Sequence, residues 1–338
     1  MEADTEFETQ LLAMLRARTG DPAATISGLT VLPGHAGQSY GFELTTHDAS
    51  GAATREHLVI RLAPAGVRPV GTADVARQAR IMKSLEGTAV PTPPVKWIGE
   101  GVEEFGRPWF VVGFVAGDKL ALGEREYSPD EQRAAARAVV RTHAALHSVP
   151  WEPRRAVWGE PVTLQQEIER CNALLDRPTL DPATTVGSAE LRERLLATEP
   201  RAPRLGCVHG DMQWSNMLIR DGEVRAVIDW ELAQIGAVLI DLGWLCLFSD
   251  PDSWVDRSLV PAHIPSPEAL AEMYRERVSF EVTDADVRWF RAFSGYRFGA
   301  ITAFNLMLHR RGKRIDPTWE DIGLSAARLF ARGRELLG

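Results

Sequence analysis

The hydrophobic period changes once along this chain, near Gly117, and that change limits the folds open to it. Before it, GLTVLP, SYGFELTT and EHLVIRLA are short runs rich in β-branched and aromatic residues, parted by turns that contain glycine. Such runs predict an antiparallel sheet. One helical stretch, TADVARQARIMKSLEG, interrupts the strands and ends at Gly87, a residue suited to a helix C-cap. VPTPPVKWIGE and RPWFVVGFVAG then resume the strand pattern. An amphipathic helix over residues 5–19 precedes the sheet.

From Ser128 onward the pattern is mostly helical. Ser128-Pro129-Asp130-Glu131 combines an N-cap, a first-turn proline and a capping-box glutamate, and the helix it opens runs to about His147. Residues 165–200 and 266–338 also read as helices, around a β-rich island at 205–230. A small sheet unit followed by a larger helical one is an α+β arrangement. The expected domains are 1–116 and 117–338.

Composition narrows the function classes. No run of eighteen apolar residues occurs in the 338, so no membrane-spanning helix is expected. The start, MEADTEFETQ, is acidic and polar, unlike a secretory signal. Cys171, Cys207 and Cys246 are too far apart for a metal-type pair, and they read as reduced, buried thiols of a cytoplasmic protein. A net charge of −8 argues against nucleic acid as the main partner.

The chemistry-bearing stretch is GCVHGDMQWSNMLIRDGEVRAVIDWE, residues 206–231. Asp211 and Asn216 are spaced D-x-x-x-x-N, the spacing at which a kinase catalytic loop carries a base and a metal-binding amide. Asp221-Gly222 between two strand-like runs signals a two-residue type I′ hairpin. Counted back from that turn, Asn216 falls opposite Val227 and Trp214 opposite Asp229. Asp229 then returns to within about 7 Å of Asn216 along the ladder, at roughly 3.3 Å per residue. Two oxygen ligands at that separation reach a shared Mg²⁺ whose other ligands are phosphate and water. Taken singly, such residues are more often structural than catalytic: Asp211 a cap, Asn216 a turn residue and Asp229 a strand-end acid.

With these residues in place the stretch resembles the aminoglycoside/choline kinase-like phosphotransferases, of the two-lobed protein-kinase-like fold. His209-Gly210-Asp211 to Asn216 matches that family's H-G-D-x-x-x-x-N, and Ile228-Asp229-Trp230-Glu231 its I-D-W-E. The resemblance implies an ATP-dependent kinase of small-molecule hydroxyls, with Asp211 as catalytic base and Asn216 and Asp229 as Mg²⁺ ligands. It implies a structural role for His209 and a bracing role for Asp241 in IDLGWL. It covers roughly residues 28–310 and is strongest towards the kinase domains found fused to, or beside, acyl-CoA dehydrogenases. That subgroup has arginine in place of the phosphate-binding lysine, and Arg61 stands there, in HLVIRL. The loop Pro33–Ser39, between two strands, can lay its backbone N–H groups over phosphate through Gly34, Gly37 and Ser39, or serve only as a glycine-bearing hairpin. FVVGFVAG would be the hinge, its backbone at Gly113 and Val115 meeting adenine.

Two positions depart from the family. Gln78 occupies the helix position expected to offer a glutamate to the phosphate-binding side chain, and Gly236-Ala237-Val238 replaces Gly-Asp-Pro. Gln78 can still offer Arg61 a neutral amide acceptor. A nucleotide-binding pseudokinase and an AMP transferase of the same fold are the alternatives; a protein-substrate kinase is disfavoured, because no activation-loop segment separates Asp229 from Asp241.

Residues 284–309 read as a helix whose apolar stripe includes Phe290, Phe293, Ala300, Ile301 and Phe304, and Arg297 falls within that stripe. A buried arginine needs an anionic partner, either an acidic neighbour or a ligand. Together with the basic run HRRGKR, this points to an anionic acceptor such as a hydroxyacyl-CoA ahead of an aminoglycoside.

Overall fold

The computed structural model describes residues 5–32, 38–66, 71–101, 103–120 and 128–338. Two compact units result: Met1–Ala116 with Ala226–Leu232, and Gly117–Arg225 with Ala233–Gly338. The short segment Ala226–Leu232 therefore packs with the first unit, although its chain neighbours on both sides belong to the second.

The first unit opens with α1 (Thr5–Thr19) and continues into β1 (Thr25–Leu32), β2 (Gln38–His47) and β3 (Ala53–Leu62). After α2 (Val75–Ser84) come β4 (Val95–Gly99) and β5 (Trp109–Gly113). The strands form one antiparallel sheet in the order β1-β2-β3-β5-β4. Alternation along each strand sorts the side chains by face. Phe42 and Leu44, Leu58, Ile60 and Leu62, and Trp109 and Val111 all join Leu11, Met14 and Leu15 of α1 in one core cluster. Each large side chain buried this way stabilises the unit by about 1.5–3 kcal/mol. Arg61, between Ile60 and Leu62, belongs to the other face, and the register sets it directly opposite Ser39. Asp74 caps α2 by accepting the Arg77 N–H, and the C-cap is Leu85. Gly87, expected as the cap, instead takes the left-handed turn two residues later, with φ +78°.

The second unit is helical around two small pairs of strands. It comprises α3 (Pro129–His147), α4 (Arg155–Trp158), α5 (Leu164–Leu175) and α6 (Ser188–Ala197), then β6 (Leu205–Val208) and β7 (Met217–Arg220). β8 (Glu223–Val227) carries the chain out of it, and β9 (Gln234–Ala237) brings it back. There follow α7 (Leu239–Leu247), α8 (Pro267–Arg275), α9 (Asp284–Arg310), α10 (Thr318–Gly323) and α11 (Ala326–Leu337). The capping box at Ser128 and Glu131 is formed in both directions and stabilises the start of α3 by about 1 kcal/mol. A second box, Thr283 with Asp286, opens α9.

The long helix α9 is the centre of this unit, with α5, α6, α7, α10 and α11 packed against it. Glycine makes its closest approaches possible. A Cβ added at Gly243 of α7 would collide with the carbonyl oxygen of Phe290, and one at Gly295 would lie 2.9 Å from that of Leu329 on α11. Backbone therefore meets backbone along the α7–α9 seam. No helix among the described residues is long and apolar enough to cross a membrane.

The hairpin between β7 and β8 has φ values of 55° at Asp221 and 72° at Gly222, as a type I′ turn requires. Its ladder is shorter than the counted register. Trp214–Asn216 form a 3₁₀ turn that Gln213 caps by accepting the Ser215 N–H, so β7 begins only at Met217. Asn216 and Trp214 thus precede the paired strand, and Asp229 follows the end of β8 at Val227.

Candidate functional site

Strand β6 delivers the chain to His209, Gly210 and Asp211, where Gly210 takes φ +84°. The loop is held from behind by Asp241 at the start of α7. Its two carboxylate oxygens accept the N–H groups of His209 and Gly210, each at 2.8 Å. His147 of α3 reaches the same carboxylate through Nε2 at 3.2 Å, and its Nδ1 lies 2.7 Å from the Tyr274 hydroxyl. Asp241, His147 and Tyr274 are all fully buried or nearly so. Burial alone would push the Asp241 carboxyl up, but the His147 hydrogen bond and the neighbouring histidine charges hold it below the ordinary carboxylate value.

Two more histidines complete the brace. His209 accepts the Asp211 N–H on Nδ1 at 3.2 Å, which leaves its proton on Nε2. His143, one turn before His147, presents Nδ1 to the Val139 carbonyl at 2.9 Å and Nε2 to that of Met212 at 3.2 Å. Two carbonyl acceptors favour a charged ring, and full burial opposes it. Burial wins, and the His143 pKa is pushed down to about 4.

Asp211 itself is gripped on both oxygens. The indole Nε1 of Trp244 donates to Oδ1 at 2.6 Å, and the amide Nδ2 of Asn216 donates to Oδ2 at 2.7 Å. Nδ2 also donates to the Asp211 carbonyl at 2.9 Å, which fixes the amide's orientation and leaves its Oδ1 as the end for another partner. Trp244 carries Arg297 on its ring face, with the guanidinium carbon 4.7 Å from the ring centroid. Arg297 Nη1 donates to the Gly210 carbonyl at 2.7 Å. As the apolar stripe predicts, Arg297 is buried. It makes no ion pair with a carboxylate among the described residues. D-x-x-x-x-N spacing pointed to Asp211 and Asn216; nothing local pointed to Trp244.

A second group forms in the first unit. Arg61 Nη2 lies 3.2 Å from Asp229 Oδ1 and 3.7 Å from Glu231 Oε2. Asp229 takes the left-handed conformation, φ +67°, which costs a non-glycine residue about 1–2 kcal/mol. The amide acceptor expected from Gln78 is not used: Gln78 is buried, its Nε2 has no partner among the described residues, and it makes no hydrogen bond to Arg61. The carboxylates of Asp229 and Glu231 serve Arg61 instead. Glu231 was the fourth residue of I-D-W-E, and its reach to Arg61 follows from residues 226–232 joining this unit.

In the hinge-like segment, Gly113 gives its N–H to the Pro94 carbonyl at 2.9 Å, and a Cβ there would lie 2.8 Å from the Pro94 ring. Of its backbone, then, only the carbonyl is left to offer. Phe114 gives its N–H to His57, whereas the Val115 N–H has no partner among the described residues. Gly34 and Gly37, with the loop 33–37, lie outside the described residues. Ser39 is half-buried on β2, beside Arg61 across the ladder.

Asn216 in the second unit and Asp229 in the first each offer an oxygen of the hard type that Mg²⁺ takes. The three cysteines are buried, and burial pushes each thiol up to about 12. Among the described residues no cluster of three or more His, Cys, Asp or Glu is poised to hold an ion.

Comparison with known proteins follows these features. The mouse (Mus musculus) protein Acyl-CoA dehydrogenase family member 10 is 26% identical over 261 residues, covering 72% of this chain and 24% of the relative. Probable acyl-CoA dehydrogenase IBR3 of Arabidopsis thaliana is 24% identical over 219 residues, covering 59% of this chain and 25% of that protein. The chain thus spans about a quarter of the length of the curated relatives it matches. Among solved structures, a protein from Ralstonia eutropha JMP134 described as an aminoglycoside phosphotransferase superposes with a TM-score of 0.75 at 24% identity, over 99% of this chain and 98% of that one. Aminoglycoside phosphotransferase APH(4)-Ia, in ternary complex with ADP and hygromycin B, superposes with a TM-score of 0.61 at 17% identity, over 96% and 98%. The fold is therefore the α+β, protein-kinase-like one. Residues 41–293 match the family described as the phosphotransferase enzyme family, and the chain belongs to that family.

Proposed function

We propose that the protein moves the γ-phosphoryl group of ATP to a hydroxyl of a small molecule. The observation that supports this most is the Asp211 carboxylate, held on both oxygens by Trp244 and Asn216 at the end of a loop clamped by Asp241. A base must be fixed in direction to accept a proton in flight, and positioning supplies most of the catalysis in phosphoryl transfer.

In this proposal the acceptor's O–H gives its proton to Asp211, its oxygen bonds to the γ-phosphorus, and the bond to the ADP oxygen breaks. Asn216 and Asp229 hold Mg²⁺, whose charge, when bound, offsets that of the phosphates. Arg61 orients the phosphates through its planar fork, with Gly34, Gly37 and Ser39 at the phosphate-covering loop. The Gly113 carbonyl and the Val115 N–H serve the adenine. Residues 1–116 are the nucleotide-binding lobe and 117–338 the catalytic and acceptor-binding lobe. The acceptor we propose is hydroxyacyl-CoA-like or aminoglycoside-like; aminoglycosides are named for the structural neighbours, and the curated relatives are named only as acyl-CoA dehydrogenases.

The test is Mg²⁺-dependent ADP release across a panel of hydroxylated metabolites, hydroxyacyl-CoA esters and aminoglycosides, with mass spectrometry of the product. Acceptor-dependent ADP with a phosphorylated product is expected. Nucleotide binding without turnover on any acceptor would point to a scaffold, and an AMP adduct to an AMP transferase.

A further inference from the structure

Arg297 of α9 bonds the residue before the candidate base, and its partners are unusual for a buried cation. It is 8% exposed, yet among the described residues one of its five N–H donors is used, on a neutral carbonyl, and its face rests on the Trp244 indole. The other buried arginine of α9 shows the contrast. Arg291, 6% exposed, is neutralised by Asp250 at 3.0 Å and Glu268 at 2.6 Å. Arg332 shares the Asp250 carboxylate at 2.9 Å. One helix therefore carries one arginine with its counter-ions built in and a second, two turns on, with none among the described residues.

Buried charges are normally paired. The carbonyl and the indole orient the Arg297 guanidinium without cancelling its charge. Gly210, which holds one end of it, is the residue immediately before Asp211, and Trp244, which carries its face, bonds Asp211 directly. The unspent cation is thus tied to the base within the span of one indole ring.

Resting on the phosphotransferase reading above, we infer that Arg297 recognises an oxyanion on the acceptor, a carboxylate or a phosphate placed a few bonds from the hydroxyl that is phosphorylated. A polycationic acceptor would instead bring amines towards an unneutralised guanidinium, where like charges repel. Arginine is the side chain whose fork matches either oxyanion in two parallel hydrogen bonds.

The experiment compares matched acceptors in the full chain. ω-Hydroxy carboxylates of three to six carbons are set against their neutral methylamides and against the corresponding diol monophosphates, with an aminoglycoside as the cationic arm. The readout is the ratio of kcat/KM for the anionic member over its neutral partner, by ADP release. Wild type should favour an anion by more than tenfold, with the better arm showing whether carboxylate or phosphate is read. Arg297→Gln should cut that ratio by at least tenfold, and Arg297→Lys should restore part of it. A merely structural arginine would lower both rates together and leave the ratio unchanged, which overturns the inference. So does a wild-type enzyme that turns over neutral or cationic acceptors as well as anionic ones, while the phosphotransferase reading survives that result. Absence of acceptor-dependent ADP release from every arm removes both.

Discussion

The indole N–H of Trp244 points at Asp211 Oδ1 across 2.6 Å, so the candidate base is aimed by a residue of α7 and not by its own loop alone. Asn216 steadies the other oxygen, but Asn216 belongs to the same loop and moves with it. Trp244 belongs to a helix locked to the core. A hydrogen bond to a charged group is worth about 1.5–3 kcal/mol. Trp244→Phe keeps a ring beneath Arg297 and removes only the donor. kcat should fall about tenfold, with KM for ATP unchanged and the thermal midpoint lowered by only a few degrees. An unaltered kcat in steady-state assays would show that Asn216 suffices.

Asp211→Asn should lose activity by roughly 10²–10⁴-fold, the range for a general base. It should remain folded, though with a lower thermal midpoint. Both oxygens of Asp211 accept hydrogen bonds, and an asparagine amide must turn its NH₂ towards one of those donors. Near-wild-type turnover would reject the base. Asp229→Ala should act differently, weakening Mg²⁺-ATP binding in calorimetry; unchanged affinity would remove Asp229 from the ligand set.

Arg61→Ala should raise the apparent KM for ATP several-fold. It also leaves Asp229 and Glu231 without the cation that lies 3.2 and 3.7 Å from them. Arg61→Ala combined with Glu231→Gln should therefore recover some thermal stability relative to Arg61→Ala alone, without recovering the KM. A double variant no more stable than the single would mean that Glu231 takes no part in the pairing.

His143 makes stability fall with acid. Its folded pKa of about 4 lies below the ordinary 6.5, so the unfolded chain binds the proton more readily. The contribution is complete above pH 6.5 and is lost as pH falls towards 4, to a total of about 3 kcal/mol. Urea unfolding at pH 7 and pH 4.5 should show a smaller acid loss in His143→Gln than in wild type. Equal losses in the two proteins would place the acid sensitivity elsewhere.

Local signals carried most of the fold. The alternation in β2 and β3, the capping box of α3 and the type I′ turn at Asp221-Gly222 are properties of a few adjacent residues, and they are present where the spacing put them. What could not be read depended on distant backbone meeting backbone. Trp244 of α7 reaches Asp211 from 33 residues away, and α7 meets α9 at Gly243; no window of sequence records either contact. Residues 226–232 leave their chain neighbours for the first unit, which brings Glu231 to Arg61. His143 and His147 did leave a trace, four residues apart on the buried side of α3, the spacing at which two rings share one face of a helix.

At Gly243 one helix backbone rests on another, with the Ser294 hydroxyl beside the contact. Trp244 and Arg297, on either side of it, are therefore carried as parts of one stiff body together with the loop they hold. Little ordering entropy remains to be spent when an acceptor arrives at that end of the protein. Discrimination between acceptors should then show up mainly as enthalpy in calorimetry, and the affinity ratio should narrow as the temperature rises.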